Sequence, residues 1–330
     1  MELLGIIAEY DPFHPGHLYH IQQSRRESGA DAVAVILSGD FVQRGGAAML
    51  DKFARSEMAI RCGADLVIEL PLPWCMAGAE TFARGGVGLL DALGCADVLS
   101  FGSECGDISA LEDAVRALCT AETEETLREL LRSGLPYAAA REKAVERTAG
   151  RACARLLQQP NNILAIEYLK ALNTLGSEIR PMTLRREGSV HNGVGSASEL
   201  REKYYKGEQI DGLLPEAAAA VLRRETERGA LPERERLETA LLSRLRMLDE
   251  ESWHTLPDCS EGLENRLYRA ARRENSIEAI LDAAASGRYP RARVRRILYA
   301  AALGLRSGDA DGVPPYIRPL AANEKGREGL

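Results

Sequence analysis

The first part of the chain alternates short, uniformly apolar stretches with longer stretches in which apolar residues recur every three or four positions. The uniformly apolar, β-branched stretches are LLGIIAEY (residues 3–10), DAVAVILSG (31–39), ADLVIEL (64–70) and ADVLSFG (96–102). These predict strands, and the periodic stretches HLYHIQQSRRE (17–27) and DKFARSEMAIRCG (51–63) predict helices. Strands that are apolar throughout are typical of sheets covered by helices on both faces. The pattern therefore predicts an α/β fold with a doubly wound parallel sheet.

The region that follows predicts a helical insertion and then a return to the sheet. Residues from about 107 to 158 are rich in Ala, Leu, Glu and Arg, which favour helices that cap the sheet. A helix, a last strand and a further helix are then predicted over residues 161–172, 178–187 and 196–207. Pro181 lies near the start or the edge of that strand, where proline is tolerated.

The last part of the chain predicts helices only. Beyond about residue 206 no strand pattern recurs, and apolar periodicity indicates helices at 235–248, 263–275 and 291–304. We therefore expect two domains, an α/β domain over residues 1–205 and a C-terminal, mainly helical domain over residues 206–330.

Composition narrows the class of protein. The N-terminal apolar run is too short for a signal peptide, and no run approaches the ~18 apolar residues of a membrane helix. We therefore expect a cytoplasmic protein with no membrane partner, and no feature implies a protein partner. The seven cysteines include no closely spaced pair, so neither a disulfide framework nor a Cys-x-x-Cys metal site is predicted. A net charge of −7 argues against a coat of nucleic-acid-binding charge but leaves a local basic face open.

The strongest chemical signal is His14-Pro-Gly-His17, directly after the first predicted strand and at the start of a helix. Two histidines three positions apart can face the same side of a turn, and Gly16 lets a phosphate approach the backbone. Imidazole N–H donors can stabilise the charge that develops when an α-phosphate is attacked. The alternative is a helix-start turn whose histidines only cap backbone groups. His20 is either part of this site or a packed residue.

The loop after the second strand adds cations to the same edge of the sheet, because ligands of open α/β sheets bind where strands end. Within SGDFVQRGGAAMLDKFAR (38–55), Arg44 and Lys52 can reach a triphosphate or a carboxylate. The alternative is a solvated loop followed by a helix that Asp51 caps.

Three other segments contribute weaker signals at this edge. Gly102 offers backbone against which an adenine or ribose can lie, although a tight turn explains it equally well. Of Asn161 and Asn162, one is expected to be the N-cap of a helix and the other to bind a ligand. SASELR (196–201) presents hydroxyl groups, Ser198 among them, and Arg201 at a helix start, which is a second polyphosphate-binding arrangement.

The sequence resembles a known family over essentially its whole length. The runs that carry the resemblance are IIAEYDPFHPGHLYHIQQS (6–24), LSGDFVQRG (37–45), GADLVIELP (63–71), SFGSE (100–104), PNNILAIEYLKAL (160–172) and VPPYIRPLAANEKGREGL (313–330). The first run and SASELR are similar to the HxGH and ISSTxIR elements of Rossmann-like nucleotidyltransferases, and the full set resembles the bacterial tRNA(Met) cytidine acetate ligases. The resemblance implies activation of acetate by ATP as acetyl-adenylate, then acetylation of the wobble cytidine of elongator tRNA(Met), with release of AMP and pyrophosphate.

The resemblance also implies ATP contacts. In the first segment these are Ile7, Ala8, Glu9, Tyr10, Asp11, Pro12, Phe13, His14, Pro15, Gly16, His17, Leu18, Tyr19 and His20. Elsewhere they are Gly102, one of Asn161 and Asn162, and one of Arg185 and Arg186, and we favour Asn161 and Arg186. Ser198 and Arg201 complete the expected anion site.

We expect His14 and His17 to stabilise the transition state at the α-phosphate, with Lys52 as a further catalytic residue and a phosphate or acetate partner. Arg186 is a second such partner. Mg²⁺ is expected with ATP as its counterion, without a dedicated set of protein ligands.

Three residues depart from the family pattern. Asp11 and Asp40 stand where the family usually has asparagine, and Pro15 also replaces an asparagine. Two extra carboxylates near the phosphates would repel them unless Mg²⁺ or a basic side chain intervenes.

The helical part offers a candidate RNA-binding stretch. Between residues 288 and 296, five of nine residues are arginine and none is acidic. These are Arg288, Arg291, Arg293, Arg295 and Arg296. A charge run is usually a solvated helix face, but with the resemblance tRNA becomes the expected partner.

Two other functions stay open on the residues alone. One is a nucleotidyltransferase that adenylylates a phosphorylated small molecule. The other is an ATP- and RNA-binding module without chemistry, which the paired histidines disfavour.

Overall fold

The computed structural model describes residues 1–186 and 196–328, and in these ranges six strands form one sheet. The strands are β1 (Leu3–Ala8), β2 (Ala32–Ser38), a hairpin of β3 (Phe41–Val42) and β4 (Gly46–Ala47) outside the sheet, β5 (Leu66–Leu70), β6 (Val98–Ser103), β7 (Arg180–Arg185) and β8 (Pro319–Ala322). The strand order is β7-β6-β1-β2-β5-β8, and all neighbours are parallel except β5 and β8. The five predicted strands are thus confirmed, with β7 at an edge that accommodates Pro181.

The order of the strands locates the natural ligand crevice. The chain runs from β1 through β2 to β5 on one side and then crosses to β6 and β7 on the other. Strand order therefore reverses between β1 and β6, and ligands of open α/β sheets bind at the carboxyl ends of the strands at such a point.

Helices cover both faces of the sheet. In chain order they are α1 (Pro15–Ser28), α2 (Lys52–Arg61), α3 (Ala79–Ala92), α4 (Ile108–Leu118), α5 (Ala121–Arg132), α6 (Tyr137–Ala149), α7 (Arg151–Leu156), α8 (Pro160–Leu175), α9 (Ala197–Tyr205), α10 (Glu216–Glu227), α11 (Arg234–Met247), α12 (Glu250–His254), α13 (Leu263–Arg273), α14 (Ile277–Ala284), α15 (Arg291–Leu303) and α16 (Glu324–Glu328). One face of the sheet packs on α3, α4 and α8, and the other on α1, α2 and α10. The doubly wound arrangement is therefore confirmed.

The expectation that no strand lies beyond residue 206 is wrong, because β8 extends the sheet. Its residues pair with β5 in an antiparallel register that shifts between Val67 and Ile68. The sequence of β8, PLAA, has no β-branched residue and starts with a proline, so it lacks a strand signal. At a sheet edge a short strand with one proline is tolerated.

Helices after residue 206 divide between two hydrophobic cores. In α10, Ala218 and Leu222 pack into the same core as Met58 and Ala59 of α2, beneath the sheet. Helices α11 to α15 surround a separate core that includes the fully buried Trp253. Within the described ranges, no helix has both the length and the apolar character needed to cross a membrane.

Candidate active site

The His14-Pro-Gly-His17 turn joins β1 to α1, and its two imidazole rings are held by the backbone. The His14 Nδ1 atom accepts a hydrogen bond from the Gly16 N–H at 3.0 Å, and the His17 Nδ1 atom accepts one from the His14 N–H at 3.2 Å. The ring centroids lie 3.7 Å apart. Backbone capping by histidine, the alternative reading of the motif, therefore does occur.

Capping also fixes which nitrogen of each ring carries the proton. An Nδ1 atom that accepts from a backbone N–H has its lone pair engaged, so a neutral ring holds its proton on Nε2. Burial, with a smaller effect of the Arg186 guanidinium, lowers the pKa of His14 to about 4. Burial is also the main reason that the pKa of His17 lies well below its usual range. At neutral pH the turn thus presents two neutral rings, each with an Nε2–H donor.

Two buried aromatic side chains pack against the His17 ring. The Tyr10 and Phe13 rings are buried, and their centroids lie 4.8 Å and 5.6 Å from that of His17. Tyr10 has a left-handed backbone with φ 48°, which an ordinary residue adopts only when its surroundings hold it there. Of the predicted ATP contacts in this segment, four are buried residues. These are Tyr10, Asp11, Pro12 and Phe13.

His20 connects α1 to the neighbouring strand. Its Nε2 atom lies 3.0 Å from the Ser100 hydroxyl on β6, which in turn lies 2.7 Å from the Ser24 hydroxyl. Burial lowers the pKa of His20 to about 4. His20 is thus hydrogen-bonded within the protein and fixes α1 against β6.

On the opposite side of the crevice, the carboxylate of Glu104, in the loop after β6, holds the start of α8. Both Glu104 carboxylate oxygens accept backbone N–H groups, from Asn161 at 3.1 Å and from Asn162 at 2.7 Å. The expectation that one of these asparagines is the N-cap is wrong, because the helix begins one residue earlier at Pro160 and its N-cap is Gln159. Proline favours the first helical position, where its missing N–H costs nothing.

The two asparagines have different surroundings. The Asn162 side chain is fully buried, and its carbonyl oxygen accepts from the N–H groups of Glu104 and Cys105. Asn161 instead donates to Glu104 and accepts from Arg186, each at 2.7 Å. Asn161, the favoured member of the pair, is therefore the one that bridges to a cation. Sequence reasoning missed Glu104, because it lies 57 positions before Asn161, in the loop after β6.

Arg186 and Arg185 point to different places. The Arg186 side chain lies across Gly102, where a Cβ atom would come within 2.8 Å of its Cδ atom. Burial is the main reason that the pKa values of all three histidines are lowered, and the Arg186 guanidinium adds to this effect, so it stands near them. Arg185 is exposed and packs against Gly106. The structure thus brings Arg186 to the histidines, and the predicted space above Gly102 holds this side chain.

The start of α9 meets the histidine turn through an ion pair. Arg201 lies 3.2 Å from the buried Asp11 carboxylate and also donates to the Asp11 backbone carbonyl. Ser196 and Glu199 cap the helix reciprocally, and Ser198 is exposed beside them. Residues 187–192, part of the predicted polar segment before this helix, lie outside the described residues. The carboxylate that replaces the family's asparagine at Asp11 is therefore neutralised by Arg201.

The second extra carboxylate is neutralised in the same way. Lys52 donates to the buried Glu69 carboxylate at 2.7 Å and lies 3.5 Å from Asp40. Arg318 pairs with the other Glu69 oxygen at 3.2 Å. The prediction that Lys52 is a phosphate or acetate partner stays a prediction, and a ligand would have to compete with two carboxylates for its ammonium group.

The arginine run on and before α15 is partly neutralised by acids that are distant in sequence. Arg288 pairs with Glu261, Arg291 with Glu278 and Asp282, and Arg295 with Glu278, while Arg293 donates to the Asp258 carbonyl. Arg296 makes no hydrogen bond or ion pair with the residues that the structure describes. No acidic residue lies within the arginine run in the sequence, but the fold brings acidic residues from other segments next to it.

Comparisons with known proteins agree with this geometry. The whole chain, residues 1–330, matches the family model described as HIGH Nucleotidyl Transferase. It is 40% identical to the tRNA(Met) cytidine acetate ligase of Thermoanaerobacter sp. (strain X514), over 100% of this chain and 85% of that protein. The tRNA(Met) cytidine acetate ligase of Syntrophotalea carbinolica is 39% identical, over 100% of this chain and 82% of that protein.

A solved structure has the same fold over the same length. The crystal structure of Thermotoga maritima TmcAL bound with alpha-thio ATP is similar to this chain with a TM-score of 0.95 and 34% sequence identity. The alignment covers 100% of this chain and 82% of that one. The chain therefore belongs to the HIGH nucleotidyltransferases and, within them, to the tRNA(Met) cytidine acetate ligase family.

Proposed function

We propose that this protein is an ATP-dependent ligase that activates acetate as acetyl-adenylate and acetylates the wobble cytidine of elongator tRNA(Met) to N4-acetylcytidine. One observation carries the proposal: two neutral histidines, each held through Nδ1 by backbone N–H groups, at the start of a helix beside the strand-order reversal. Family membership supports the choice of substrates.

The proposed activation step is a substitution at phosphorus. An acetate oxygen attacks the α-phosphorus of ATP, the bond from that phosphorus to the bridging oxygen breaks, and pyrophosphate leaves with the electron pair. Negative charge builds on the phosphoryl oxygens and on the leaving group. The Nε2–H groups of His14 and His17 donate to those oxygens, and because the rings are neutral and pre-positioned they need no reorganisation.

The proposed transfer step forms an amide. The exocyclic amine of cytidine attacks the acyl carbon of acetyl-adenylate, the carbon–oxygen bond to the phosphate breaks, and AMP leaves. The proton lost by the amine passes to solvent or to the departing phosphate. Atoms balance as acetate, ATP and tRNA giving acetylated tRNA, AMP and pyrophosphate.

ATP binding is proposed along the crevice between β6 and β1. The nucleoside lies toward Asn161 and the end of β6, and the Arg186 side chain, which covers Gly102 in this structure, turns toward the phosphates at the start of α1. Mg²⁺ is proposed to bind with the triphosphate, because the nearby carboxylates of Asp11 and Glu104 are already engaged by Arg201 and by the start of α8. The ion would lower the negative charge of the nucleotide.

The helical region around α15 is proposed to bind tRNA through its arginines. A tRNA phosphate competes with an acid for a guanidinium, so Arg291 and Arg295, which are paired with acids, contribute less than Arg296, which has no acid partner among the described residues. Because its proposed substrates are ATP and tRNA, we place the protein in the cytoplasm.

A pyrophosphate-release assay with and without acetate and elongator tRNA(Met) tests this function. The proposal predicts acetate-dependent pyrophosphate release and acetylated cytidine only when tRNA is present. Release that requires a phosphorylated small molecule instead of acetate would favour the alternative nucleotidyltransferase. Binding of ATP and tRNA without pyrophosphate release would indicate a module without chemistry.

A further inference from the structure

The cations around the crevice divide into engaged and free groups. Three are bound to protein oxygens: Lys52 to Glu69, Arg201 to Asp11, and the buried Arg55 to the backbone carbonyls of Glu9, Gly39 and Leu50. The Arg186 guanidinium donates to the neutral amide of Asn161 and forms no ion pair with an acid in the described ranges. Arg44 makes no hydrogen bond or ion pair anywhere in the part of the chain that the structure describes. Arg44 and Arg186 are therefore the cations available to an anionic ligand.

Arg44 does not sit on a loose loop. The residue before it, Gln43, donates its backbone N–H to the Glu9 carboxylate at 2.6 Å. The residue after it, Gly45, has φ 80° and packs against α15 so closely that a Cβ atom would lie 2.7 Å from the Arg296 nitrogen. The turn of the β3–β4 hairpin is thus fixed on one side by the end of β1 and on the other by α15. Arg44 stands between these two contacts.

None of the acidic residues that the structure describes forms an ion pair with Arg44. Burial lowers the pKa of Arg186, the Glu104 carboxylate opposes this shift, and the Arg44 guanidinium adds to it as a like charge does, so the two cations act on the same space. The Arg44 guanidinium also acts on Glu9, whose carboxylate already accepts the Gln43 N–H and whose pKa is raised mainly by burial. Two guanidinium groups that repel each other across a crevice are stabilised when an anion binds there.

The strand order places Arg186 and Arg44 at different positions along the crevice. Arg186 lies over Gly102 at the end of β6, the histidine turn follows β1, and the hairpin that carries Arg44 follows β2. In the proposed function ATP spans the ends of β6 and β1, so Arg44 lies on the far side of the phosphates from the nucleoside. The attacking oxygen must stand in line with the bond to the leaving pyrophosphate and opposite to it, so a co-substrate held at the end of β2 can attack when the pyrophosphate points away from the hairpin.

We propose that Arg44 binds the carboxylate of the acyl donor, a short aliphatic carboxylate, and orients it for attack. This inference rests on the proposed function and names a residue for its second substrate. A guanidinium matches a carboxylate with two parallel hydrogen bonds, which leaves the carboxylate in a single orientation. A phosphate of ATP is the other anion that Arg44 could meet, and the test separates the two.

The test measures AMP formation by the full chain with ATP, acetate and elongator tRNA(Met), with one substrate varied at a time. For Arg44→Ala we expect the KM for acetate to rise about 10- to 100-fold, the size of a lost charged hydrogen-bond pair. The KM for ATP and the Kd for ATP alone should stay within about twofold. Arg44→Lys should fall between, because lysine keeps the charge but not the paired geometry.

A matched control is Arg128→Ala, which removes an exposed arginine paired with Glu124 on α5. It should leave both KM values unchanged. An unchanged KM for acetate in Arg44→Ala overturns the inference while leaving the proposed function intact, and a rise in the KM for ATP alone assigns Arg44 to phosphate and also overturns it. If the wild-type chain forms no AMP with acetate, the proposed function itself falls, and the carboxylate assignment falls with it.

Discussion

The His17 Nδ1 atom accepts the backbone N–H of His14 at 3.2 Å, which makes the two histidines one structural unit. Each ring uses one nitrogen to hold the turn and keeps the other, Nε2, as a donor. Structural capping and ligand binding are therefore compatible in this motif, and a substitution that removes a ring removes both. Variants that retain one function and lose the other are needed to separate them.

The buried histidines should make stability depend on pH. Their folded pKa values, about 4 for His14 and His20, lie below the unfolded value, so the unfolded chain binds more protons between these limits. Stability is therefore complete above about pH 6.5 and falls as the pH drops toward 4. We expect His20→Gln, which retains an Nε2 donor toward Ser100, to flatten this fall. Thermal midpoints of wild-type protein and variant from pH 7.5 to 4.5 measure this difference, and parallel curves would contradict a lowered pKa of His20.

Tyr10 should tolerate loss of its hydroxyl but not of its ring. The hydroxyl is buried without a hydrogen-bond partner within the described residues, whereas the ring packs against His17. Tyr10→Phe should thus leave stability equal or raise it by up to about 1 kcal/mol, with normal activity. Tyr10→Ala should lower stability by about 3 kcal/mol and reduce kcat. Chemical denaturation and AMP formation test both, and equal losses in the two variants would show that the hydroxyl matters.

Arg201 and Asp11 should be energetically coupled. Arg201→Ala leaves the buried Asp11 carboxylate without its cation next to the proposed phosphate site. We expect this variant to lose both stability and ATP affinity, and Asp11→Asn in the same chain to restore much of the loss. A double-mutant cycle on unfolding free energy should give a coupling of about 1 to 3 kcal/mol. Additive effects would mean that the pair is not formed in solution.

Gly45→Ala should impair catalysis beyond what the backbone strain of a left-handed alanine explains. The added Cβ atom would collide with the backbone of α15 at Arg296 and displace the hairpin that carries Arg44. Gly134→Ala is the matched control, because Gly134 also has a left-handed φ, 90°, but no atom within 4 Å of the added Cβ. Both variants should lose about 1 kcal/mol of stability from the backbone, and only Gly45→Ala should raise the KM for acetate. Equal KM values in the two variants would argue against a positioned Arg44.

The arginines of α15 should contribute unequally to tRNA binding. Replacing Arg293, Arg295 and Arg296 together should weaken tRNA affinity and reduce its salt dependence, with little change in ATP binding. Arg291→Ala should have a smaller effect than Arg296→Ala, because Arg291 is held by two acids. Filter binding across a salt titration measures both. Unchanged affinity of the triple variant at every salt concentration would remove this surface from the tRNA site.

The sheet and the histidine turn are predictable from the sequence because both rest on local signals. Uniformly apolar runs gave the strands, and Pro15 and Gly16 mark the helix start at which the histidines lie. Strand β8 was not predicted, because PLAA becomes a strand only through pairing with β5. The start of α8 was misplaced by one to two residues, since the cap there is not an asparagine but the carboxylate of Glu104, which comes from another loop.

The state of each charge was not predictable, because partners lie far apart in sequence. Arg201 finds Asp11 across 190 positions, and the arginines before and on α15 find Glu261 and Glu278. The sequence predicted the same role for Arg44 and Lys52, but Lys52 is engaged by Glu69 and Asp40, whereas Arg44 forms no ion pair within the described ranges. Spacing along the chain carries no information about such pairs, and only the packed fold does.

The most direct test of the central claim is acetyl-adenylate formation from labelled acetate and ATP by wild-type protein and two His17 variants. His17→Asn keeps an acceptor near Nδ1 for the His14 N–H but lacks the Nε2 donor, and His17→Ala lacks both. The account predicts acetyl-adenylate from the wild type and a loss of about 100-fold or more in both variants, with His17→Asn still folded. Acetyl-adenylate formation at the wild-type rate by His17→Asn would contradict the account.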